Sequence, residues 1–547
     1  MLKSVKLSFT DPEICEISTE GVTIFVGPNN SGKSLILREI EQQIENFNPI
    51  KSKIVKDYNV HWPDKDHVTK YIDSISTESS PVMGNLTQVR YFHHTDGQRT
   101  HAINLNSVLD VVENKQNKHY FAANFLRFGL VRLTGRTRFE LVDDQTFGDL
   151  LIAPINNLSR LFQSDRLREL TRKYIYDAFQ LYFVIDPNYS GHLRVRLSSE
   201  APTEDEQSLS EKARNYHRKA LYIKDASDGI QAYTGIIMAV ASGDYHTILI
   251  DEPEAFLHPP LAKKLGFQLS SLALQQQSSL LLSTHSSDLL MGCMQGNPKV
   301  RIVRLQFNNG TSSCKILEPD RLNTLFKNPL MRSVNAASAL FYDGAVITES
   351  ENDRAFYSEI YTRLTEENSN LPSIVFINAQ NIQTIYRLVG PLREFGVPAV
   401  GIADLDIINQ RGANWKNIVQ SARIPRVLKE MLRKKRDRVA EFFCQRGIKA
   451  KSAGGVFALS DSERDFALDF INEINNFGIF PVPTGELESW LSDLNISSGK
   501  SGWVARAFDR LGNDPKSSSY VRPNDGDVWE FMRKVASWIA DTSRKGM

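Results

Sequence analysis

Eight consecutive residues, Gly27-Pro28-Asn29-Asn30-Ser31-Gly32-Lys33-Ser34, fit the spacing G-x-x-x-x-G-K-[ST]. That spacing suits a chain of phosphates. Glycines let backbone N–H groups turn inward around phosphate oxygens, and the N-terminus of the helix that follows adds partial positive charge. Gly27, Asn30, Gly32, Lys33 and Ser34 are therefore the candidate nucleotide-binding residues. Lys33 is expected to reach the β- and γ-phosphates of ATP, and Ser34 to ligate Mg²⁺. A second motif, ILIDEPEAFLHP over Ile248–Pro259, ends an apolar run in Asp251 and Glu252. Buried carboxylates without partners are costly. Asp251 beside the magnesium and Glu252 orienting or polarising the attacking water give both acids a reason to be there.

Another group of acids lies in the C-terminal half. ALFYDGAVITESENDRAFY places Glu349 just past a strand and Asp353 four residues later, near a helix start, where carboxylates are favoured. PAVGIADLDI ends a strand in Asp404 and Asp406. Alternate residues of an extended segment point the same way, so these two can share a face. Carboxylates gathered at the C-terminal edge of a parallel sheet repel one another, and an oxygen-seeking divalent ion, Mg²⁺ or Mn²⁺, would offset that repulsion. Glu349, Asp353, Asp404 and Asp406 are thus candidate ligands of a metal that could activate water and stabilise a phosphodiester transition state.

Elements must hold these residues in place. Lys3–Phe9 and Gly21–Val26 read as strands, the second one buried and running into the phosphate loop. LILREIEQQIENF after the loop has helical spacing. No period is visible from about Asn48 to Gly148. Leu150–Phe183 is patterned as helix, His192–Ser198 alternates as a strand, and Ser199–Glu211 is acidic and serine-rich, which predicts an exposed loop. Thr247–Ile250 and Ser279–Leu282 are buried strands on either side of a helix over Pro259–Leu274. Arg321–Leu340 joins two domains. Beyond it the strands Ala345–Thr348, Ser373–Ile377 and Ala399–Ala403 alternate with helices over Asn352–Leu364 and Ile382–Phe395, the rhythm of a parallel sheet. The fold class is α/β. Residues 1–330 make the ATPase domain, with an insertion at about 47–220 that includes a helical dimerisation segment. Residues 336–547 make a second α/β domain.

Composition narrows the classes. With 547 residues, 41% of them hydrophobic and 24% charged, the chain is ordinary for a soluble protein and long enough for more than one core. A net charge of +1 excludes a uniformly basic nucleic-acid binder but not a local basic surface. Cys15, Cys293, Cys314 and Cys444 lie far apart, in neither a zinc pattern nor a disulfide framework. The opening MLKSVKLSFTDPEICEI carries charges where a signal peptide needs an apolar run, and no apolar stretch approaches the roughly 18 residues of a membrane span. A cytoplasmic location, reduced thiols and no membrane partner are expected.

The first two motifs, in their order, resemble ABC-type ATPases. In LLLSTHSSDLL, His285 resembles the switch histidine that senses the γ-phosphate in such proteins. DASDGIQAYTGIIMAV, over Asp225–Val240, resembles a diverged signature segment, with Ser227, Asp228, Gly229 and Gln231 opening a helix. The bland reading of that segment is a plain helix cap. The resemblance implies that ATP is sandwiched between two protomers, so that the chain forms a homodimer or higher homo-oligomer.

The acids of the C-terminal half resemble a TOPRIM domain, whose pattern is a glutamate after one strand and D-x-D after a later one. ATPase followed by TOPRIM resembles the OLD (overcoming lysogenization defect) family. That family includes the nuclease subunit of the Gabija anti-phage system and some retron-associated effectors. DEPEAFLHPPLAKKLG and LLSTHSSDLL are similar to its ATPase half, and NAASALFYDGAVITESENDRAFY to its TOPRIM entry. The resemblance implies that Glu349, Asp353, Asp404 and Asp406 are metal ligands or the general base. It also implies a further acid, Glu486 in TGELESWL, and a basic residue that stabilises transition-state charge, Lys500 in SSGKSGW. The family has glycine directly after its first glutamate; here it is Ser350. DNA is the implied partner. A helicase, or a reverse transcriptase with its nucleic acid, is the defence partner to look for.

A basic segment, Arg423–Lys451, includes Arg426, Lys429, Arg433, Lys434, Lys435, Arg436, Arg438, Arg446, Lys449 and Lys451. It reads either as a phosphate-backbone contact beside Asp404 and Asp406 or as a solvated helix face. Three functions stay open at this point. One is a metal-dependent DNA endonuclease or nickase gated by ATP, in phage defence. The others are a DNA-repair-type ATPase clamp, and an ATP-dependent sensor or assembly platform, in both of which the TOPRIM-like domain is a scaffold.

Overall fold

The computed structural model describes residues 1–9, 14–77, 86–93, 97–151, 154–203, 205–243, 245–308, 311–333, 336–452, 454–496 and 502–547. The chain divides into two compact units, Met1–Asn323 and Thr324–Met547.

The first unit is built on a six-stranded sheet. Its strands run in the order Thr311–Leu317, Val300–Asn308, Val22–Val26, Ser279–Ser283, Thr247–Asp251, Leu130–Leu133. All neighbours are parallel except the outermost pair, Val300–Asn308 with Thr311–Leu317. Val22, Ile24, Ile248, Leu249, Leu280 and Leu282 are fully buried, as strands covered on both faces require. The helix Lys33–Glu45 buries Ile36, Leu37, Ile40 and Ile44, one stripe at helical spacing, against this core. A three-stranded antiparallel sheet, Ile14–Ser18, Leu2–Ser8, Val55–Val60, lies in the same unit.

Residues 47–220 hold strands as well as helices. Leu130–Leu133 returns to the core sheet beside Thr247–Asp251, and this edge strand gives no periodic signal because it is only four residues long. The helices Asn157–Gln163 and Asp165–Phe179 account for part of the helical expectation, but Tyr182–Tyr189 is a strand paired with His192–Ser198. The exposed loop expected at Ser199–Glu211 has a buried residue in it. Glu206 is 6% exposed and takes the Arg172 guanidinium at 2.6 and 2.8 Å, so an acid in a polar run anchors the loop to the helix Asp165–Phe179.

The second unit has a four-stranded parallel sheet in the order Ile374–Asn378, Gly344–Thr348, Ala399–Ala403, Ile479–Pro481. The expected strands and the helices Glu351–Glu367 and Ile382–Glu394 are all present. The fourth strand, with only three residues, is an addition to that expectation. Gly344–Thr348 pairs directly with Ala399–Ala403, Val346 opposite Val400, so the residues after both strands emerge side by side at one sheet edge. Trp529, Met532, Val535 and Ile539 of the helix Asp527–Ala540 complete the core with Val346 and Val400. No helix of the described residues is long and apolar enough to cross a membrane.

Candidate functional site

The buried strand Val22–Val26 delivers the phosphate loop, and two glycines shape it. Gly27 has φ +144°, and a Cβ there would stand 2.2 Å from the Leu305 carbonyl oxygen. Gly32 starts the helix from the left-handed region at φ +96°, where side chains are strained. The Lys33 ammonium sits inside the loop and donates to the carbonyls of Gly27 at 3.0 Å and Pro28 at 2.8 Å. Burial lowers its pKa to about 8. Asn30 takes a positive φ of 62° in the turn. Beside the loop a cavity of about 620 Å³ is lined by Ser8, Phe9, Asn30, Lys53, Lys56 and Phe307, among others. Rings and ammonium groups around that space suit a nucleoside attached to the phosphates.

The acidic strand lies where the phosphate loop can use it. Ser34 Oγ donates to Asp251 Oδ1 at 2.8 Å, and Ser283 Oγ donates to the same oxygen. These hard oxygens fit Mg²⁺ as ligands. Glu252 stands in the left-handed region at φ 47°, a cost for a side chain that marks a built position. Its Oε1 is 3.5 Å from Nε2 of His285, and burial, then Lys33, lower the histidine's pKa and favour its neutral form. Glu254 holds the switch segment by accepting from Thr284 Oγ1 at 2.7 Å and from the His285 N–H at 2.8 Å. Two further residues belong to this site and are missed by sequence reasoning. Ser283 closes a run of leucines, a position from which a partner for Asp251 could have been inferred. Arg138 gives no signal at all, yet it is buried and donates to the Asp251 carbonyl at 2.8 Å.

The signature segment opens the helix Asp228–Ser242. Ser227 precedes it, exposed and without a side-chain cap hydrogen bond. Gln231 turns back on the loop, donating to the Ala226 carbonyl at 2.9 Å. A Cβ on Gly229 would stand 2.8 Å from the Phe256 carbonyl oxygen, so the segment packs on the loop that follows Glu252.

In the second unit, Glu349 and Asp404 leave neighbouring strands together. The Asp404 N–H donates to Glu349 Oε1 at 3.1 Å. Burial, with Asp404 and Asp406 close by, pushes the Glu349 carboxyl up to about 8. Burial pushes Asp404 up to about 6 against the pull of Lys451. Lys451 forms an ion pair with Asp404 Oδ2, and against the lowering by burial Asp404, then Asp406, raise its pKa. Glu486 is buried and its turn lies against the D-x-D turn, Leu405 N–H donating to the Gly485 carbonyl at 2.8 Å.

Asp353, close enough to Asp404 to raise its pKa, also caps a helix. Its carboxylate accepts from the N–H of Ser350 at 2.9 Å and from its Oγ at 2.7 Å, while Ser350 Oγ accepts from the Asp353 N–H. This capping box starts the helix Glu351–Glu367. It also accounts for serine after Glu349: Ser350 has φ −132°, which needs no glycine. Among the described residues, no group of three or more histidine, cysteine, aspartate or glutamate side chains is arranged to hold a metal ion. Glu349, Asp404 and Asp406 are nevertheless oxygen-only donors, with Glu349 and Asp404 both raised by burial and by neighbouring acids, and that chemistry fits Mg²⁺ or Mn²⁺. Lys500 lies outside the described residues.

The basic segment forms the helix Arg426–Gln445 and the turns after it. Most of its cations are engaged internally: Arg433 with Glu430 at 2.5 Å, Lys435 with Asp469 and Glu473 at 2.8 and 2.6 Å, Arg438 with Glu441 at 2.7 Å, and Arg446 with Glu463 at 2.6 Å. Arg411, Lys416 and Lys429 pair with no carboxylate of the described residues, and they line a cavity of about 430 Å³ floored by buried Trp415.

Comparison with known proteins places both halves. Residues 143–292 match the family model "AAA domain, putative AbiEii toxin, Type IV TA system". Residues 340–406 match that of the TOPRIM domain of overcoming-lysogenization-defect-like proteins. The chain joins an AAA-type ATPase domain to an OLD-like TOPRIM domain. The TOPRIM match spans Glu349, Asp353, Asp404 and Asp406, and the ATPase match spans Ser227, Asp251, Glu252 and His285. No curated protein matches the chain. Among solved structures, an SMC head bound to the C-winged helix domain of ScpA is similar at 13% identity over 59% of this chain and 99% of that one, with TM-score 0.35. The SMC head domain from Thermotoga maritima is similar at 15% identity over 58% and 99%, with TM-score 0.29. A nucleotide-free ATP-binding cassette from an ABC transporter is similar at 14% identity over 61% and 98%, with TM-score 0.25.

Proposed function

We propose that this chain is an ATP-regulated, divalent-metal-dependent DNA endonuclease or nickase of the cytoplasm, acting in anti-phage defence. One observation carries the reading. The parallel sheet of the OLD-like TOPRIM domain brings Glu349 and Asp404 together, with Asp406 close enough to raise the Glu349 pKa, in a chain that also holds a complete phosphate loop and acidic strand. Carboxylates kept together at such a cost have a use when a metal and a phosphodiester arrive.

The roles follow from position. Ser34 and Asp251 hold Mg²⁺ on ATP; Lys33 neutralises the phosphates; Glu252 orients the attacking water and His285 reports on the γ-phosphate. The exposed Ser227, with Gly229 at the helix start, completes the nucleotide site of a second copy, making the working form a homodimer or larger. Glu349, Asp404 and Asp406 ligate Mg²⁺ or Mn²⁺, which supplies Lewis acidity and an activated water when bound. Glu486 adds a carboxylate from the adjoining turn. Asp353 positions Glu349 through the helix cap. Arg411, Lys416 and Lys429 take the DNA backbone. The partner is a helicase, or a reverse transcriptase with its nucleic acid.

The test is cleavage of supercoiled, linear and single-stranded DNA with Mg²⁺ or Mn²⁺, with and without ATP. No cleavage of any form rules the reading out. The capping of Asp353 and the pairing of Asp404 favour a second reading, an ATPase clamp or sensor with a TOPRIM-like scaffold. That reading predicts DNA-stimulated ATP hydrolysis with no cleavage.

A further inference from the structure

The sequence pattern makes Lys451 one cation of a basic segment that either meets a phosphate backbone or is a solvated face. It points instead into the carboxylate group, and its backbone is held there. The turn at Lys449–Ser452 follows the basic helix. Lys451 O packs so closely on Gly485 that a Cβ at Gly485, φ +111°, would lie 2.4 Å from it. The carbonyl of the same glycine accepts from Leu405 N–H at 2.8 Å. One turn, Gly485–Glu486, therefore packs against Lys451 on one side and hydrogen-bonds to the D-x-D segment on the other. A lysine on an open surface gains little from an ion pair and swings freely. Here the acid is largely buried and the lysine is positioned by its backbone.

The geometry points to Lys451 as a built-in counter-ion, which holds Asp404 until a divalent cation takes its place. The inference rests on the proposed metal-binding role of Asp404. Lys451 competes with the metal: one ammonium compensates the carboxylates while the site is unloaded, and loading must break the Lys451–Asp404 pair. Removing the lysine frees Asp404 of its ion pair, so the metal binds more tightly. A lysine that merely held the fold together would have the opposite effect or none, since loosening a site weakens its ligands.

The experiment is calorimetric titration of the full-length chain, free of nucleotide, with MnCl₂. The binding event that disappears in Asp404→Asn is assigned to this site. Lys451→Met is expected to bind Mn²⁺ about tenfold more tightly than wild type, roughly the effect of removing one competing ion pair. Lys451→Arg keeps the charge and is expected to stay within about twofold of wild type. Lys451→Gln is the second neutral variant, used if Lys451→Met does not unfold cooperatively at the wild-type temperature. Equal or weaker Mn²⁺ binding by a folded neutral variant overturns the counter-ion role alone, leaving the metal site intact. The absence of any event that disappears in Asp404→Asn overturns the metal reading of the site and the counter-ion with it.

Discussion

In the nucleotide site the acids rest on neutral partners. Asp251 accepts from the hydroxyls of Ser34 and Ser283, and Glu254 from Thr284 and a backbone N–H. In the carboxylate site the partners are a cation and other acids: Asp404 is paired with Lys451, and Glu349 is pushed up to about 8. Hydroxyls cost nothing to keep in either state of the site, so the first arrangement is ready for a cation as it stands. A half-buried charge pair must be broken before a metal can enter, so the second is held closed by its own chain. The difference teaches that clustered carboxylates can be compensated by a cation of their own chain or by neutral donors alone.

If the two sites are separate machines, single substitutions separate them. Asp404→Ala is expected to lower DNA cleavage by about 10³-fold or more, with ATP binding unchanged, since metal-borne charge stabilisation is worth several kcal/mol. Lys33→Ala is expected to abolish ATP binding in a filter or fluorescent-nucleotide assay while Mn²⁺ still binds at Asp404. Loss of ATP binding in Asp404→Ala would break the comparison. Next in size is Glu252→Gln, which keeps the shape and removes the charge that orients water. ATP hydrolysis is expected to fall by about 10²-fold with binding retained. Unchanged hydrolysis would mean that Glu254 or another group does this work.

The same contrast governs what is legible in the sequence. The nucleotide site is legible because its chemistry is contiguous: Gly27–Ser34 and Asp251–Glu252 each sit at the end of an apolar strand, and strand and motif support each other. Glu349 and Asp404 are legible for the same reason. Lys451 and Arg138 are not, because each reaches its partner, the Asp404 carboxylate or the Asp251 carbonyl, from a segment whose local pattern concerns something else. Lys451 follows a charged helix; Arg138 lies in a four-residue helix. The strand Leu130–Leu133 is invisible because four residues carry no period, and the cap formed by Asp353 is not legible because a cap and a ligand require the same residue type at a helix start.

A smaller effect tests the DNA side of the comparison. Replacing Arg411, Lys416 and Lys429 by alanine together removes cations that have no internal acid to release. The slope of log affinity for duplex DNA against log salt is expected to flatten by about 2–3, close to 0.9 for each phosphate no longer neutralised. The control is Arg433→Ala plus Arg438→Ala, which removes cations already paired with Glu430 and Glu441. That pair is expected to leave the slope within about 0.5 of wild type. Equal flattening in both would show that internal pairing does not decide which cations meet DNA.

The smallest effect concerns pH and asks whether the carboxylate site carries its cost when no metal is present. The Glu349 carboxyl titrates near 4.5 in an unfolded chain and near 8 in the folded one, mainly because it is buried and secondarily because Asp404 and Asp406 are close. Between those values the folded state binds more protons than the unfolded state, so stability falls as pH rises through that window. Below it both states are protonated, and above it the full penalty is present. Metal-free protein is therefore expected to melt about 2–4 °C lower at pH 8.5 than at pH 6 for each kcal/mol involved. Glu349→Gln cannot ionise, and its decline over the same range is expected to be clearly smaller, while Mn²⁺ should stabilise wild type more at pH 8.5 than at pH 6. Ser34 and Asp251 offer an internal control, because Ser34→Ala removes a neutral partner and should leave the pH dependence as it is. Parallel pH profiles for wild type and Glu349→Gln would show that Lys451 already compensates the acids in full, and that the two sites differ in their partners but not in their cost.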